Sequence, residues 1–211
     1  MVKLLLSILV LINLMGCREF VKTNVEAYSN LDDGVVGSKV FVAPTKGQKT
    51  NTLSWKKNAS LLEQELSLAG MRIVNDSKKA DFIAYFGYAI DEGQLVTTNY
   101  SIPQWGVTGY SGANTYGSVY GNSYSATTTL NPTYGVTGYS SGSSTSKVFT
   151  RSAMLFMQSL KSGDVVYEGK AVSSGNCHAF APIAPYIIKS ILNNFPDGKV
   201  GTVELPSKVD C

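Results

Sequence analysis

Between Gly93 and Ser146 the chain contains no Asp, Glu, Lys or Arg, although 33 of its 211 residues belong to those four types. At the rate of the whole chain about nine charges would be expected in that stretch, so the deficit is local. The missing charges, and not the chain's modest overall charge of 16%, are what is unusual. No apolar run reaches the roughly 18–20 residues of a membrane-crossing helix, which excludes a polytopic helical membrane protein. Histidine occurs once, at His178, and no Cys-x-x-Cys spacing exists, so no metal site and no metal cofactor are expected. No glycine-rich loop leads from a strand into a helix, so no nucleotide cofactor is expected either. A net charge of +3 offers no basic surface for nucleic acid, and 44% hydrophobic residues are too many for a disordered chain.

The N-terminus reads as an address. Lys3 precedes an apolar stretch from Leu4 to Met15 that ends in Leu14-Met15-Gly16-Cys17. A short basic region, an apolar core and a small residue before the cut are the parts of a secretory signal, here residues 1–16. Leu-Met-Gly-Cys looks like a bacterial lipobox, with Cys17 as the acylated residue. Several acyl chains hold a protein to a membrane where one is marginal, at about 0.8 kcal/mol per buried methylene. Arg18, in place of an aspartate, points to the outer membrane with the domain facing the periplasm. The remaining cysteines, Cys177 and Cys211, are expected to form a disulfide in that oxidising compartment, two free thiols being the alternative.

Residues 17–37 mix charge, Asn and Gly without clear periodicity and are expected as the acylated cysteine and a tether. A single α+β domain is expected over 38–211. Residues 38–43 (SKVFVA) read as a strand. Trp55, Ala59, Leu62, Leu66 and Ala69 recur at helical spacing before Gly70. Residues 71–75 and 80–90 read as strands, the second central in the sheet. Residues 147–159 and 165–173 read as an antiparallel hairpin, and 185–195 as a last helix with Pro185 in its first turn. The fold class is α+β: an antiparallel or mixed sheet with helices packed on one face and a Gly/Tyr/Ser-rich β-arm insertion over 93–146.

That insertion holds 9 of the 20 glycines and 7 of the 12 tyrosines. It also repeats itself. Pro103-Gln-Trp-Gly-Val-Thr-Gly-Tyr-Ser111 returns as Pro132-Thr-Tyr-Gly-Val-Thr-Gly-Tyr-Ser140, which reads as a duplicated hairpin arm. Tyr116, Tyr120 and Tyr124 share one parity, so one extended strand would set their rings in a row. Trp105, Tyr110, Tyr116, Tyr120, Tyr124, Tyr134 and Tyr139 form a candidate interaction surface, because Tyr among Ser, Gly and Asn makes adaptable contacts and an uncharged strand edge invites pairing. A membrane-inserting arm is disfavoured at this level, since Val119 among Gly and Ser gives no consistent apolar side.

Two catalytic motifs occur by composition. Gly138-Tyr-Ser140-Ser-Gly142 matches G-x-S-x-G, followed by Asp164 and His178 in hydrolase order, but it sits in a Ser/Gly tract and not at an apolar strand turning into a helix. Ser144-Thr-Ser-Lys147 matches S-x-x-K without the companion motifs. No catalytic residue and no small-molecule substrate are expected.

The lipobox, Ala69-Gly70-Met71 at a helix exit, Lys79-Ala80-Asp81-Phe82 at the entry to a long strand, the Tyr/Gly/Ser-rich middle and Phe195-Pro196 together resemble the bacterial lipoproteins of domain of unknown function 4136. The resemblance implies an α+β periplasmic domain without an established activity, distantly like the periplasmic domains of oligomeric secretion lipoproteins, and it carries over no catalytic residue. The expected function is a lipid-anchored outer-membrane protein using its arms to bind an envelope partner or copies of itself. The alternative is a subunit of an oligomeric envelope channel or secretion assembly, with a serine hydrolase a distant third.

Overall fold

A computed structural model of the chain describes residues 19–31, 33–207, 209 and 211. The signal sequence and Cys17 lie outside the described residues. Within Glu19–Ser29, Val21, Thr23, Val25 and Ala27 are buried and the residues between them are exposed. That period of two makes a strand with one covered face, and the segment is strand β1. The tether expected over 17–37 is thereby corrected. β1 pairs on one side with Val165–Gly175 and on the other with Lys199–Ser207, both antiparallel. Burial of Thr23, a polar residue in the apolar phase, is what hid the alternation in the sequence.

Strand β2 (Lys39–Pro44) leads to helix α1 (Leu53–Leu68), where the Thr52 hydroxyl caps the first turn by accepting from the Trp55 N–H at 3.1 Å. Four residues of the expected stripe, Trp55, Ala59, Leu62 and Leu66, are buried together with Asn58, while the fifth, Ala69, is the half-buried C-cap. A two-residue strand, β3 (Arg72–Ile73), precedes β4 (Phe82–Ile90), the long strand whose residues Ala84 and Phe86 are fully buried. β5 (Gln94–Tyr120) and β6 (Ser123–Ser159) follow, then β7 (Val165–Gly175), helix α2 (Ala184–Ile191) and β8 (Lys199–Ser207). α2 ends four residues before the expected boundary at 195, as the backbone tightens to i→i+3 bonds from Asn193 and Phe195. Strand β8 was not anticipated, because Gly201 and Pro206 interrupt its pattern.

The sheet is mixed and eight-stranded, in the order β3-β2-β4-β6-β7-β1-β8, with β5 paired to β6. β2 runs parallel to both β3 and β4, and the remaining pairs with a defined register are antiparallel. Core residues from β1, β4, β6 and β7 join Leu62 and Leu66 of α1 and Ile187, Ile188 and Ile191 of α2 in one buried cluster. Gly169 of β7 marks the closest approach. A Cβ there would stand 2.6 Å from Ile191 Cγ2, so only glycine lets the helix lie that near the strand. Beside it the Tyr167 hydroxyl donates a 2.6 Å hydrogen bond to the Ile191 carbonyl, the last of α2. Cys177 and Cys211 are joined by a disulfide, tying the C-terminal residue to the segment after β7.

The chain divides into two units. One is Leu95–Ser146, and the other contains all the elements just described apart from the hairpin. The unit Leu95–Ser146 is a long two-stranded hairpin made by β5 and the first part of β6. Its turn is Gly121-Asn122, with Gly121 at φ +62°. A positive φ at the first central residue alone is the II′ arrangement, whose twist matches that of the flanking strands.

Candidate functional site

The seven aromatic residues singled out in the sequence all belong to the hairpin and are all exposed, from 59% for Tyr110 to 91% for Tyr120. Within the hairpin the only half-buried positions are glycines: Gly106, Gly109, Gly135, Gly138 and Gly142. No third strand pairs with this ribbon among the described residues, which leaves two open edges.

One hairpin, not two, accounts for the repeat. The copies occupy opposite strands and meet head to tail: a Cβ on Gly106 would touch the Thr137 side chain at 3.0 Å, and one on Gly135 would touch Thr108 at 3.1 Å. The expected duplicated arm is therefore a single ribbon whose two strands each carry one copy of the nine-residue segment. Threonine hydroxyls add cross-strand bonds, Thr97 with Thr145 and Thr115 with Thr128, each 2.9 Å between oxygens. Thr108 and Thr137 donate to the carbonyls of Thr133 and Gln104.

The row of phenols does not form. Tyr116 and Tyr120 precede the turn and Tyr124 follows it, so counting by twos along the chain does not carry across Gly121-Asn122. Tyr124 lies over Gly117, whose missing Cβ would stand 2.7 Å from the phenol oxygen. Gly117 faces away from Tyr116. Tyr124 is therefore on the opposite side of the ribbon from the other two rings.

Ser140 lies within strand β6 and is exposed, so the strand-to-helix turn that a nucleophile elbow requires is absent at that position. His178 meets Phe149 edge-on, with ring centroids 6.4 Å apart. Among the described residues no group of three metal-ligating side chains occurs.

The folded unit contains a concave feature that sequence reasoning passed over. A cleft of about 580 Å³ opens beside the disulfide, lined by residues that include Phe20, Ser173, Cys177, Ile183, Cys211 and the buried Arg151. The Arg151 guanidinium donates to the carbonyls of Ser173 and Cys177 at 3.4 and 3.3 Å. Burial lowers its pKa, and the charge of Asp91 opposes that shift. Asp91 itself accepts from the backbone N–H groups of Thr150 and Gly93, at 2.9 and 3.0 Å, and the Thr150 bond is the main reason its carboxyl titrates below the ordinary range. One arginine inside the apolar run Val148-Phe-Thr-Arg151-Ser-Ala-Met-Leu-Phe156 was the available signal.

A model of the domain of unknown function DUF4136 matches residues 22–197. The chain belongs to the DUF4136 family. The matched span starts inside β1, so this DUF4136 domain begins about sixteen residues before the boundary drawn from the sequence. No curated protein matches the chain significantly. Among solved structures, a PDZ domain protein from Parabacteroides distasonis ATCC 8503 aligns at 12% identity and a TM-score of 0.48, covering 94% of this chain. This chain spans 42% of that protein's length. Two dodecamers of PelC from Paraburkholderia phytofirmans align at 13% and 14% identity with TM-scores of 0.38 and 0.39, covering 81% of this chain and 94% and 95% of theirs.

Proposed function

We propose that this DUF4136 protein is an outer-membrane lipoprotein, anchored through Cys17, whose periplasmic unit is non-catalytic and whose hairpin is an interaction arm that associates with other copies of the chain. Both helices cover one face of the sheet in this reading, which agrees with the shared core of α1, α2 and β7. The observation that carries it is the hairpin's pair of open edges on an uncharged ribbon. Charged side chains and prolines are the usual guards of an exposed edge, and from Gly93 to Ser146 there is no charge at all and only two prolines. An isolated two-stranded ribbon is marginal in water, and further strands stabilise it. Tyrosine, serine, glycine and asparagine on such a surface supply contacts at low entropy cost.

The test uses a photo-crosslinking side chain at Tyr120 in the full-length chain within the bacterial envelope. The expected product has twice the mass of the protein. A second probe at the exposed Tyr100, which lies outside Gly106–Gly138, should give the same product and lose it when Gly106–Gly138 is excised, while the excised form keeps the Cys177–Cys211 disulfide. Adducts unchanged by the excision, or none to a second copy, overturn the reading.

A further inference from the structure

The two faces of the ribbon differ in chemistry, and the contacts across it assign them. On one face Thr115 bonds to Thr128 and Tyr124 covers Gly117. Alternation along β5 puts Trp105, Val107 and Val119 on this side, and alternation along β6 adds Ala126 and Leu130. The contacts of Gly106 with Thr137 and of Thr108 with Gly135 belong to the opposite face, which returns Tyr134 and Val136 to the first. Between residues 105 and 136 every Val, Leu and Trp thus lies on one face. The other presents Ser, Thr, Asn and the phenols of Tyr110, Tyr116 and Tyr120.

We propose that the first face is lipid-facing: hairpins from several copies pair edge to edge and cross a bilayer as the wall of a β-barrel, with the Ser/Thr/Tyr face lining its aqueous interior. This rests on the reading of the hairpin as a self-associating arm. Three observations converge on lipid as the occupant. Apart from Ser111 and the threonines Thr115 and Thr128, whose hydroxyls bond to each other, the first face is apolar, aromatic or glycine, and the two faces alternate with a dyad period, as spanning strands require. No charge from Gly93 to Ser146 has to enter the hydrocarbon, and none sits at the turn that must cross it. Tyr124 and Tyr134 are ten residues apart on one strand, about 33 Å along it and about 25 Å across a membrane at the usual tilt, which is the height of the apolar band between aromatic girdles. A two-stranded ribbon in lipid leaves unpaired N–H and C=O groups on both edges, so closure by further copies is obligatory. The sequence alone argued against this arrangement because Val119 among Gly and Ser gives no consistent apolar side within its own segment. The consistent side is assembled from both strands.

The test labels the full-length protein, one site at a time, with an environment-sensitive fluorophore at Val119→Cys, Ala126→Cys, Ser118→Cys and Ser125→Cys, in phosphatidylethanolamine–phosphatidylglycerol vesicles. The probes at 119 and 126 are expected to be quenched by a lipid-phase nitroxide and those at 118 and 125 by aqueous iodide, with at least a threefold difference between the classes. A second measurement follows leakage of an entrapped dye. Val119→Lys with Leu130→Lys should lower it tenfold or more, whereas Ser118→Lys with Ser125→Lys should leave leakage and favour anions. Equal quenching at all four sites, or leakage indifferent to which face is charged, overturns the proposal. If the Tyr120 crosslink to a second copy persists in that outcome, the self-associating arm stands and only the membrane insertion falls. If the crosslink is absent as well, both fall.

Discussion

Replacing Tyr167 by phenylalanine removes one hydrogen bond and one titration, and the two effects separate on the pH axis. The hydroxyl is fully buried and donates to the Ile191 carbonyl at 2.6 Å. Ile191 ends α2, so its carbonyl has no partner further along the helix, and Tyr167→Phe leaves it unsatisfied inside the core. Such a loss costs about 1–3 kcal/mol at neutral pH. Burial also pushes the phenol up to about 12 from its ordinary 10.0. A group whose folded pKa lies above its unfolded one holds its proton longer in the folded state. Its contribution is then complete below about pH 10 and is lost as pH rises toward 12. At pH 11 the wild type should have lost about 1.4 kcal/mol through this residue alone, an order-of-magnitude figure, and the phenylalanine variant nothing. Contributions common to both proteins cancel in the difference. Urea unfolding monitored through Trp55, which is buried against Phe86, reads the gap between the two proteins at pH 8 and pH 11. The gap should narrow by about that amount. A gap that stays constant or widens with pH refutes the placement of this phenol against the end of α2.

Two further outcomes follow from the folded unit. Cys211→Ser opens the bridge between residues 34 positions apart, and loop-closure entropy puts the loss at about 4 kcal/mol. Thermal unfolding with and without reductant checks this, because reductant should lower the wild type to the variant and leave the variant unmoved. Asp91→Ala strips the acceptor from the N–H groups of Thr150 and Gly93, so those two amides should exchange faster than in the wild type at neutral pH. The same carboxyl has a lowered pKa, so its effect is present above the ordinary aspartate range and is lost as pH falls through the folded value. The exchange difference between wild type and variant should therefore vanish in acid.

Elements with a single period were legible in the sequence. The Trp55, Ala59, Leu62, Leu66 stripe became α1, and the apolar run at 82–90 became β4, between β2 and β6. The family followed from motifs at element boundaries. What failed did so for identifiable reasons. β1 has the alternation of a strand, but Thr23 occupies a core position and Asn24 and Glu26 dilute the rest, so propensity argued for a coil where pairing on both sides decided for a strand. Arg151 is a single charge inside an apolar run, and two carbonyls with a nearby carboxylate make its burial tolerable. The tyrosine row failed because parity holds only within one strand, and Gly121-Asn122 resets it.

The repeat acquires a physical reason from that same turn. Two copies of one segment, placed on antiparallel strands, are related by a local twofold axis, and the first glycine of each copy, Gly106 or Gly135, then meets a threonine of the other, Thr137 or Thr108. Glycine leaves room on the polar face for the threonine methyl and hydroxyl, while the valine between them, Val107 or Val136, is turned to the opposite side. A segment that is complementary to its own copy within a chain is complementary to the same segment in a neighbouring chain. Each open edge of the ribbon therefore presents the sequence that the other edge can pair with, and any ring built from such hairpins would repeat at every junction between chains the Gly–Thr contacts already made inside one. If the hairpin self-associates as proposed, duplication of nine residues supplies both the contacts inside the hairpin and the rule for its assembly.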